Sequence, residues 1–349
     1  MAIQIANRPL GKGHAPFIVA EVGINHNGEL ERAFQMIQVA KDAGVDAVKF
    51  QTFKADEFCG DAEQTFTYKS QGKEVTESML EMFRRYEFNR DQWFAVKKRC
   101  DEVGIHFLST PQNRSDLDIL LELGVTAVKV GSDDFSNLPL LKSYAVTGLP
   151  LILSTGMADL SEVYKALDII GAMDGYPVVL LVCTSQYPTP PEDVNLLKLR
   201  TLSEAFPDVT VGFSDHTQGP LAAAAAVALG ACFFEKHFTL NHDLPGPDHW
   251  FSENPEGLKA WVQAIRATYK MLGSPLVRPT ATERKNRSAY RRSIVALKDI
   301  PEGETLSLQN IGLRRPATGL APILIDQVLG SQAARIIRKG TPLEFKDFR

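Results

Sequence analysis

Eight short apolar runs recur along the first three-quarters of this chain, and they constrain its fold more than any other feature. Helix-patterned stretches separate the runs, and each run ends in polar or charged residues. In chain order they are FIVAEVG (17–23), DAVKFQT (46–52), GIHFLST (104–110), AVKVGS (127–132), PLILSTG (150–156), VVLLVCT (178–184), VTVGFSDH (209–216) and CFFEKHF (232–238). Eight alternating strand and helix units predict an α/β fold of the (β/α)8 (TIM) barrel type.

Polar and charged side chains collect at the ends of these predicted strands. Packing of an apolar core alone would not place so much polarity at the same end of every strand. In a barrel of this type the carboxyl ends of the strands carry the chemistry, so the sequence predicts a functional site there. The residues concerned are Glu21, Lys49, Gln51, Thr110, Lys129, Ser132, Ser154, Thr184, Ser214, His216, Glu235 and His237.

The length of the chain leaves room for a second domain. A barrel needs about 250 residues, and this chain has 349. We predict a barrel domain over residues 1–272, a linker rich in proline, threonine and charge over 273–287, and a small β-rich domain over 288–349 with one short helix near 323–329. A polar insertion at 53–87 interrupts the repeat, and it is either a lid or subunit contact or a solvated excursion.

The charge balance and the cysteines narrow the class of protein. The net charge is −4 and the sequence has no basic run, so neither nucleic acid nor a membrane surface is an expected partner. No apolar run approaches the ~18 residues of a membrane span, and the first residues lack the pattern of a signal peptide. Four scattered cysteines suit a reducing cytoplasm, and Cys183 and Cys232, inside apolar runs, are predicted to be core residues.

Two local patterns resemble catalytic motifs but fail on geometry. GKGHAP (11–16) has the glycines of a phosphate loop, but it precedes a strand and opens no helix, so we interpret it as a surface turn. Ser214, Asp215 and His216 are the residue types of a hydrolase triad. Side chains alternate along a strand, so Asp215 faces away from its neighbours and the three cannot act as one triad.

Two histidines at the ends of the last two strands form the strongest candidate for a metal site. Because side chains alternate, Ser214 and His216 share an inward face, as do Glu235 and His237. Adjacent strands lie about 4.8 Å apart, so the two histidines can converge as ligands of a divalent metal. Glu21, on the adjacent first strand, is then either a third ligand or a nearby base. The alternative is a histidine pair hydrogen-bonded in a polar core.

Two lysines lie inside apolar strands and require anionic partners. Lys49 and Lys129 are flanked on both sides by apolar residues, so each is expected to point into the barrel. With several hydroxyl side chains nearby, the pair favours a small ligand that carries phosphate or carboxylate. Two alternatives remain open, which are a lysine paired with an internal carboxylate and a lysine that forms a Schiff base.

Ten motifs in order along nearly the whole chain match one known family. They are AEVGINHNG (20–28), VKFQT (48–52), STP (109–111), KVGS (129–132), LSTGM (153–157), CTSQYPTPPEDVNL (183–196), VGFSDHT (211–217), ALGA (228–231), EKHFTL (235–240) and PGPDH (245–249). Together they resemble the sialic acid synthase family. The C-terminal region is similar to the antifreeze-like (SAF, β-clip) domain of the same family.

The resemblance implies an activity and a cofactor. Family members condense phosphoenolpyruvate with an N-acetylated hexosamine, N-acetylmannosamine in the best-known case, into a 2-keto-3-deoxy nine-carbon sugar acid and release phosphate. It implies a divalent metal, Mn²⁺ first with Mg²⁺ or Co²⁺ as alternatives, held by His216 and His237. Members form domain-swapped homodimers, so Arg315 is expected to reach into the site of the partner subunit.

The same resemblance implies roles for the remaining site residues. Lys49 and Lys129 would stabilise phosphate and carboxylate by charge, and Glu21 or Asp134 would deprotonate the water that adds to C2 of phosphoenolpyruvate. The phosphoenolpyruvate site would comprise Lys49, Thr110, Lys129, Ser132, Ser154, Ser185 and Ser214, and the sugar site Gln51, Tyr187 and Asp248. Ser185 stands where some members have asparagine.

One departure from the family pattern leaves the acceptor sugar open. The sialic acid enzymes often carry Ser-Gly-Glu after the fourth strand, whereas this chain has Ser132, Asp133 and Asp134. The acceptor is therefore N-acetylmannosamine or a 6-deoxy diacetamido sugar that leads to legionaminate or pseudaminate. An octulosonate or heptulosonate synthase would need an arginine cluster at the mouth, and strands 5–8 show none. A glycan-binding protein without activity would not need both histidines and both lysines.

Overall fold

The computed structural model describes residues 3–61 and 63–349. Its strands, in chain order, are β1 (Ile3–Ile5), β2 (Arg8–Leu10), β3 (Phe17–Gly23), β4 (Ala47–Thr52), β5 (Thr65–Ser70), β6 (Lys73–Ser78), β7 (His106–Pro111), β8 (Val128–Val130), β9 (Leu151–Ser154), β10 (Val178–Val182), β11 (Thr210–Ser214), β12 (Phe233–His237), β13 (Ser293–Ala296) and β14 (Ile311–Arg314).

The helices alternate with the strands over most of the chain. They are α1 (Leu30–Ala43), α2 (Ala55–Phe58), α3 (Met79–Tyr86), α4 (Arg90–Val103), α5 (Arg114–Glu122), α6 (Leu138–Ala145), α7 (Leu160–Ile169), α8 (Pro191–Val194), α9 (Lys198–Ala205), α10 (Leu221–Ala228), α11 (Pro255–Leu272), α12 (Ala281–Tyr290) and α13 (Ile325–Val328). No helix in the described part of the chain is long and apolar enough to cross a membrane.

Eight strands form a nearly closed parallel barrel, which confirms the predicted fold class. Their order around the barrel is β7-β4-β3-β12-β11-β10-β9-β8. The register pairs His237 with Glu21 and Glu21 with Lys49, so three charged or titratable side chains lie next to one another on neighbouring strands. The site residues of separate strands are therefore brought together by the ladder itself.

The helices form where the sequence supplies caps and an apolar face. In α1, Ala33, Met36, Ile37 and Ala40 recur at helical spacing and pack against the strands, and the helix ends at Gly44, which adopts the left-handed conformation (φ 88°) that glycine allows. A capping box opens α7, where the Asp159 side chain accepts from the Glu162 backbone N–H.

The amino end of the barrel is closed by an apolar plug that includes a hairpin absent from the sequence analysis. β1 and β2 pair antiparallel, and Ile3, Ile5 and Leu10 pack against inward-facing strand residues. The sequence predicted only a surface turn at 11–16 in this region. Each hairpin strand has only three residues, which is too short for periodicity to reveal.

The insertion at 53–87 is folded and packs against the barrel. It contains α2, the antiparallel hairpin β5–β6 and α3. Phe53, Met82 and Tyr86 form a small apolar cluster with Ile24, and the hydroxyl of Ser70 accepts a hydrogen bond from the backbone N–H of Gly246. These contacts attach the hairpin to the loop that follows β12.

The chain divides into two compact units, Met1–Gly273 and Ser274–Arg349. The second unit contains the β13–β14 hairpin, the short helix α13 near the predicted position, and a core of its own around Ile294, Ile311 and Leu343. The segment 273–287 was predicted to be a linker, yet its second half is helical. A capping box between Thr280 and Glu283 opens α12, and the low apolar content of the helix hid it from the sequence analysis.

Candidate active site

A cavity of about 300 Å³ opens at the carboxyl ends of the barrel strands. Twelve of the fifteen residues to which the sequence analysis gives a catalytic, substrate-binding or metal-binding role line it. They are Glu21, Lys49, Gln51, Thr110, Lys129, Ser132, Ser154, Ser185, Tyr187, Ser214, His216 and His237. Because these residues come from all eight strands or the loops directly after them, the cavity is the convergence point expected of this fold.

Four buried charges form the floor of the cavity. The Lys49 Nζ lies 2.7 Å from Glu21 Oε2 and 3.7 Å from Glu235 Oε2, and the Lys129 Nζ lies 3.7 Å from Glu235 Oε1. All four residues are less than 5% exposed. Two positive and two negative groups therefore balance each other in an interior that would not tolerate an unpaired charge.

Burial and charge pairing shift the pKa values of these four groups in different directions. Burial raises the pKa of Glu21 to about 7, although Lys49 opposes the shift. Burial lowers the pKa of Lys129. For Lys49, burial lowers the pKa, but the carboxylates of Glu21 and Glu235 outweigh burial, so the pKa is raised. For Glu235, burial raises the pKa, but the two lysines outweigh burial, so the pKa is lowered. Glu21 is therefore the carboxylate of this group best suited to exchange a proton near neutral pH.

Hydroxyl groups surround the two lysines. The Lys49 ammonium donates to Thr110 Oγ1 at 3.1 Å, and the Lys129 ammonium donates to Ser154 Oγ at 2.8 Å. The Ser132 Oγ accepts from the backbone N–H of Gly156 at 3.0 Å. A Cβ atom at Gly156 would lie only 2.4 Å from Ser185 Oγ, so glycine is what allows the hydroxyls to converge here. The combination of cations and hydroxyl donors is suited to a small anion.

The two histidines lie side by side above this floor. Their ring centroids are 5.5 Å apart, and the ring of Tyr187 is 4.2 Å from that of His216. The Nδ1 of His216 is 2.7 Å from the carbonyl oxygen of Thr184, which turns the opposite ring nitrogen, Nε2, away from that carbonyl. The Nδ1 of His237 is buried without a hydrogen-bond partner, and it lies 3.9 Å from Asp248 Oδ2.

The donor set fits a divalent metal ion held by two protein ligands. Burial lowers the pKa of His237 well below its ordinary value, so its imidazole is neutral and able to coordinate. The hydrogen bond of His216 to a backbone carbonyl is of the kind that orients a ligating imidazole. Within residues 3–61 and 63–349, no group of three or more His, Cys, Asp or Glu side chains is arranged as a metal site.

A second cavity of about 570 Å³ adjoins the first and shares Gln51, Asp133, Tyr187 and His237 with it. Asp248 lines this second cavity, and burial raises its pKa to about 6. Aromatic rings dominate the wall, which is formed in part by the β5 strand of the insertion. The aromatic lining residues are Phe66, Tyr68, Phe83, Tyr187, Trp250 and Phe251.

Two of the predicted site residues line neither cavity. The Oδ1 of Asp134 accepts a hydrogen bond from Asn137, whereas its neighbour Asp133 is exposed and lines both cavities. The turn after β8 presents the first aspartate, and motif alignment alone could not reveal which of two adjacent carboxylates faces inward. Arg315 is exposed and belongs to the second unit, directly after β14.

Sequence reasoning also missed several residues of the site. Cys183 was expected to be core, but it lines the first cavity, and its Sγ lies 3.8 Å from the Nδ1 of His216. Glu235 was noted for its inward face but was given no role. Phe58 and Phe83 belong to the insertion, whose long-range packing no local pattern could predict. Alternation along the strands was the signal that could have assigned Cys183, since it lies two residues beyond the inward-facing Leu181.

Comparison with known proteins supports the same assignment over both units. The NeuB family model matches residues 36–276, and the SAF domain model matches residues 291–349. The N,N'-diacetyllegionaminic acid synthase of Legionella pneumophila is 40% identical over 96% of this chain and 95% of its own length. The human N-acetylneuraminate-9-phosphate synthase is 36% identical over 88% of this chain and 85% of its own length.

Solved structures agree with these sequence relatives. The N-acetylneuraminic acid synthetase of Leptospira borgpetersenii, in complex with citrate, superposes with a TM-score of 0.73 at 33% identity and covers 82% of this chain and 95% of that one. The spore coat polysaccharide biosynthesis protein SpsE of Bacillus subtilis superposes with a TM-score of 0.69 at 35% identity and covers 100% and 99%. The prediction of a synthase with a C-terminal SAF domain is thereby confirmed, and the chain belongs to the NeuB family.

Proposed function

We propose that this protein is a nonulosonic acid synthase, which joins phosphoenolpyruvate to an N-acetylated hexosamine and releases phosphate. The observation that carries the proposal is the pairing of two buried lysines with a ring of hydroxyls directly below two adjacent histidines. A small trianion fits the lower group, and an aldehyde oxygen fits the upper one. The names of the relatives support the product class.

Phosphoenolpyruvate would bind to the floor of the first cavity. Lys49 and Lys129 would hold its phosphate and carboxylate by charge, with hydrogen bonds from the hydroxyls of Ser132, Ser154 and Ser185. Such donors are already in place before the ligand arrives, so little reorganisation opposes charge development. Thr110 and Ser214 would complete the polar wall.

His216 and His237 would hold a divalent metal, for which Mn²⁺ is our first candidate. When bound, the metal would act as a Lewis acid on the aldehyde of the acceptor. The orphan Nδ1 of His237 and the oriented ring of His216 support this assignment. Tyr187, packed on the ring of His216, would help to exclude water from this part of the site.

In the proposed reaction, C3 of phosphoenolpyruvate forms a bond to the aldehyde carbon, which becomes the new hydroxyl-bearing carbon. Water then adds to C2, and the C2–O bond to the intact phosphate breaks to leave the keto group. Of the two protons that this water loses, one is taken up by the former aldehyde oxygen, which becomes the hydroxyl, and the other leaves with the phosphate. A carboxylate of Glu21 would take the proton from this water, because its pKa of about 7 makes it a competent base near neutrality. The geometry supports Glu21 over Asp134, since Asp134 does not line the cavity.

The acceptor sugar would occupy the second cavity. Gln51, Tyr187 and Asp248 line it and would contact the sugar, while the aromatic wall suits acetyl and methyl groups. Its lining residues include Lys69 but no arginine, which argues against a phosphorylated acceptor. N-acetylmannosamine is our first candidate for the acceptor. Two legionaminic acid synthases, 40% and 39% identical to this chain, favour the 6-deoxy diacetamido sugar as a second candidate.

A panel of acceptors tests this proposal. Phosphate release from phosphoenolpyruvate is measured with Mn²⁺ and with N-acetylmannosamine, its 6-phosphate, or a 2,4-diacetamido-2,4,6-trideoxy hexose. The proposal expects sugar-dependent release with an unphosphorylated acceptor and a kcat/KM at least tenfold lower with the 6-phosphate. Release that is independent of any N-acetylated sugar would contradict it.

We further propose that the protein acts as a domain-swapped homodimer in which Arg315 completes the site of the partner subunit. Its exposed guanidinium offers a rigid fork of donors for sugar oxygens. Mixing an Arg315→Ala chain with a His237→Ala chain should then restore activity, because one site of the heterodimer keeps both groups. A verified heterodimer without activity would refute the exchange.

A further inference from the structure

A second pair of charges lies directly behind the two histidines, on the outer face of the same strands. Asp215 precedes His216, and Lys236 precedes His237, so alternation points the charged side chains away from the cavity. Asp215 is 1% exposed and Lys236 is 3% exposed. The Lys236 Nζ lies 3.1 Å from Asp215 Oδ2, which makes this a buried ion pair.

Every oxygen of the Asp215 carboxylate has a partner. Its Oδ1 accepts from the backbone N–H and the hydroxyl of Thr217, at 2.9 and 2.7 Å. Its Oδ2 accepts from the indole N–H of Trp261 on α11, at 2.9 Å, and forms the ion pair with Lys236. The carboxylate therefore fixes the backbone on the far side of His216 and anchors it to a helix.

Lys236 extends the same network to the loop beyond β12. Its ammonium donates to the carbonyl oxygen of Thr217 and lies 3.7 Å from Glu253 Oε1. Glu253 in turn accepts from the backbone N–H of Gly219 through its side chain and donates its own N–H to the carbonyl oxygen of His237. The backbone on both sides of each histidine is thus held by one connected set of bonds.

The energetics of such a pair favour a geometric role over a stabilising one. Two charges taken out of water lose hydration that their attraction only partly restores, and well-packed apolar residues would often serve stability as well or better. Directional hydrogen bonds, by contrast, fix the position of what they hold. A metal site needs its ligands held within about 0.5 Å of the productive geometry.

We propose that Asp215 and Lys236 are positioning residues, which set the separation and orientation of His216 and His237 for a metal ion. This inference rests on the proposed metal site of the synthase. The pair touches neither substrate nor metal and acts through the backbone of the histidines. Outer groups that orient metal ligands typically change metal affinity by 10–100-fold when they are removed.

The test is the affinity of the full-length protein for Mn²⁺ alone, measured by calorimetry without substrates. Lys236→Met and Asp215→Asn should each weaken the Mn²⁺ dissociation constant by about 10–100-fold. Affinity for phosphoenolpyruvate, measured without metal, should change by less than threefold, since its lysines lie on other strands. If the pair has a merely structural role, the substitutions should weaken the affinities for both Mn²⁺ and phosphoenolpyruvate, or neither affinity.

Arg266→Met provides the matched control. Arg266 lies on α11 like Trp261, and it pairs with Asp46 at 3.1 Å and with the carbonyl oxygen of Gly44, at the amino end of the barrel. This variant should lose thermal stability but keep its Mn²⁺ affinity within threefold. If Lys236→Met does not fold, the Mn²⁺ affinity of the near-isosteric Asp215→Asn variant tests the proposal.

Unchanged Mn²⁺ affinity in a folded Lys236 or Asp215 variant would overturn the positioning role while leaving the proposed function intact. Equal loss in Arg266→Met would overturn it too, because the effect would then be global. If the wild-type protein binds no Mn²⁺, the metal assignment and the positioning role both fail. Sugar-dependent phosphate release in the same preparation would show whether the synthase proposal survives without them.

Discussion

The two ends of the barrel interior differ sharply although the same strands build both. At the amino end, inward positions carry apolar side chains such as Val19, Ile152 and Phe233, all fully buried. Two residues further along these strands, the inward positions carry Glu21, Ser154 and Glu235, which line the cavity. One alternating pattern thus produces a dry plug and a charged floor within about 7 Å of strand.

The difference between the plug and the charged floor shows that stability and chemistry depend on different ends of the barrel. The plug and the outer cluster between strands and helices bury apolar surface, which is the main source of folding free energy. The floor of the cavity buries four charges, which contribute little net stability but provide preorganised electrostatics. Changes at the two ends should therefore separate cleanly between activity and stability.

Removal of the metal should have the largest effect, and this effect should be confined to the chemistry at the carboxyl end of the barrel. We expect EDTA to abolish turnover and Mn²⁺ to restore it, since a Lewis acid supplies several kcal/mol of transition-state stabilisation. The unfolding temperature in EDTA should change little, because the plug does not depend on the metal. Full turnover after exhaustive chelation, with no metal found by elemental analysis, would contradict the assignment.

Loss of either buried lysine should come next. Lys49→Met or Lys129→Met removes a charge and keeps much of the apolar stem, so we expect kcat/KM to fall by about 30- to 10³-fold, or roughly 2–4 kcal/mol. Steady-state kinetics with each variant would measure this. A pyruvyl-lysine adduct trapped by borohydride in the wild-type protein would instead support a Schiff-base mechanism.

A buried histidine outside the cavity should govern part of the acid sensitivity of the fold. His26 is fully buried on Phe88, and burial lowers its pKa to about 3. Below pH 6.5 the imidazole of His26 binds a proton in the unfolded state but stays neutral in the folded state. The free energy of unfolding therefore falls as pH falls from 6.5 towards 3. The loss from this residue at pH 5 is about 2 kcal/mol.

The variant His26→Phe should therefore lose less stability between pH 7.5 and pH 5 than the wild type does. Urea unfolding at both pH values measures the difference for each protein. Identical losses in the two proteins would show that another group is responsible.

The smallest effect should come from a paired substitution within one strand. Ile152→Val in the plug should cost about 0.5–1.5 kcal/mol of unfolding free energy and leave kcat/KM within twofold. Ser154→Ala, two residues further along, should lower kcat/KM by about tenfold, since it removes the hydroxyl that accepts from Lys129, with a smaller effect on unfolding. The reverse outcome would break the division between the two ends.

Alternation along the strands made much of this arrangement predictable. It assigned the inward faces of Ser214, His216 and Glu235 and the outward face of Asp215, and the structure agrees with each. The barrel could be predicted because eight units repeat one local pattern.

The remaining features depend on contacts that are distant in sequence. The β5–β6 hairpin packs on the loop after β12 through Ser70 and Gly246, which lie 176 residues apart. Which of Asp133 and Asp134 lines the cavities depends on the backbone conformation of the turn after β8, and sequence periodicity carries no information about that conformation. The helix α12 has no buried residue and hence no apolar stripe to reveal it.

The most direct test of the central claim follows one oxygen atom. In this account the lysines and hydroxyls at the carboxyl end of the barrel hold the phosphate intact while water attacks C2, so the C2–O bond breaks. Phosphoenolpyruvate labelled with ¹⁸O at the bridging position should therefore give labelled phosphate and an unlabelled keto acid, as measured by mass spectrometry. Label retained in the sugar acid would show that the phosphorus–oxygen bond breaks instead, and that would contradict the account.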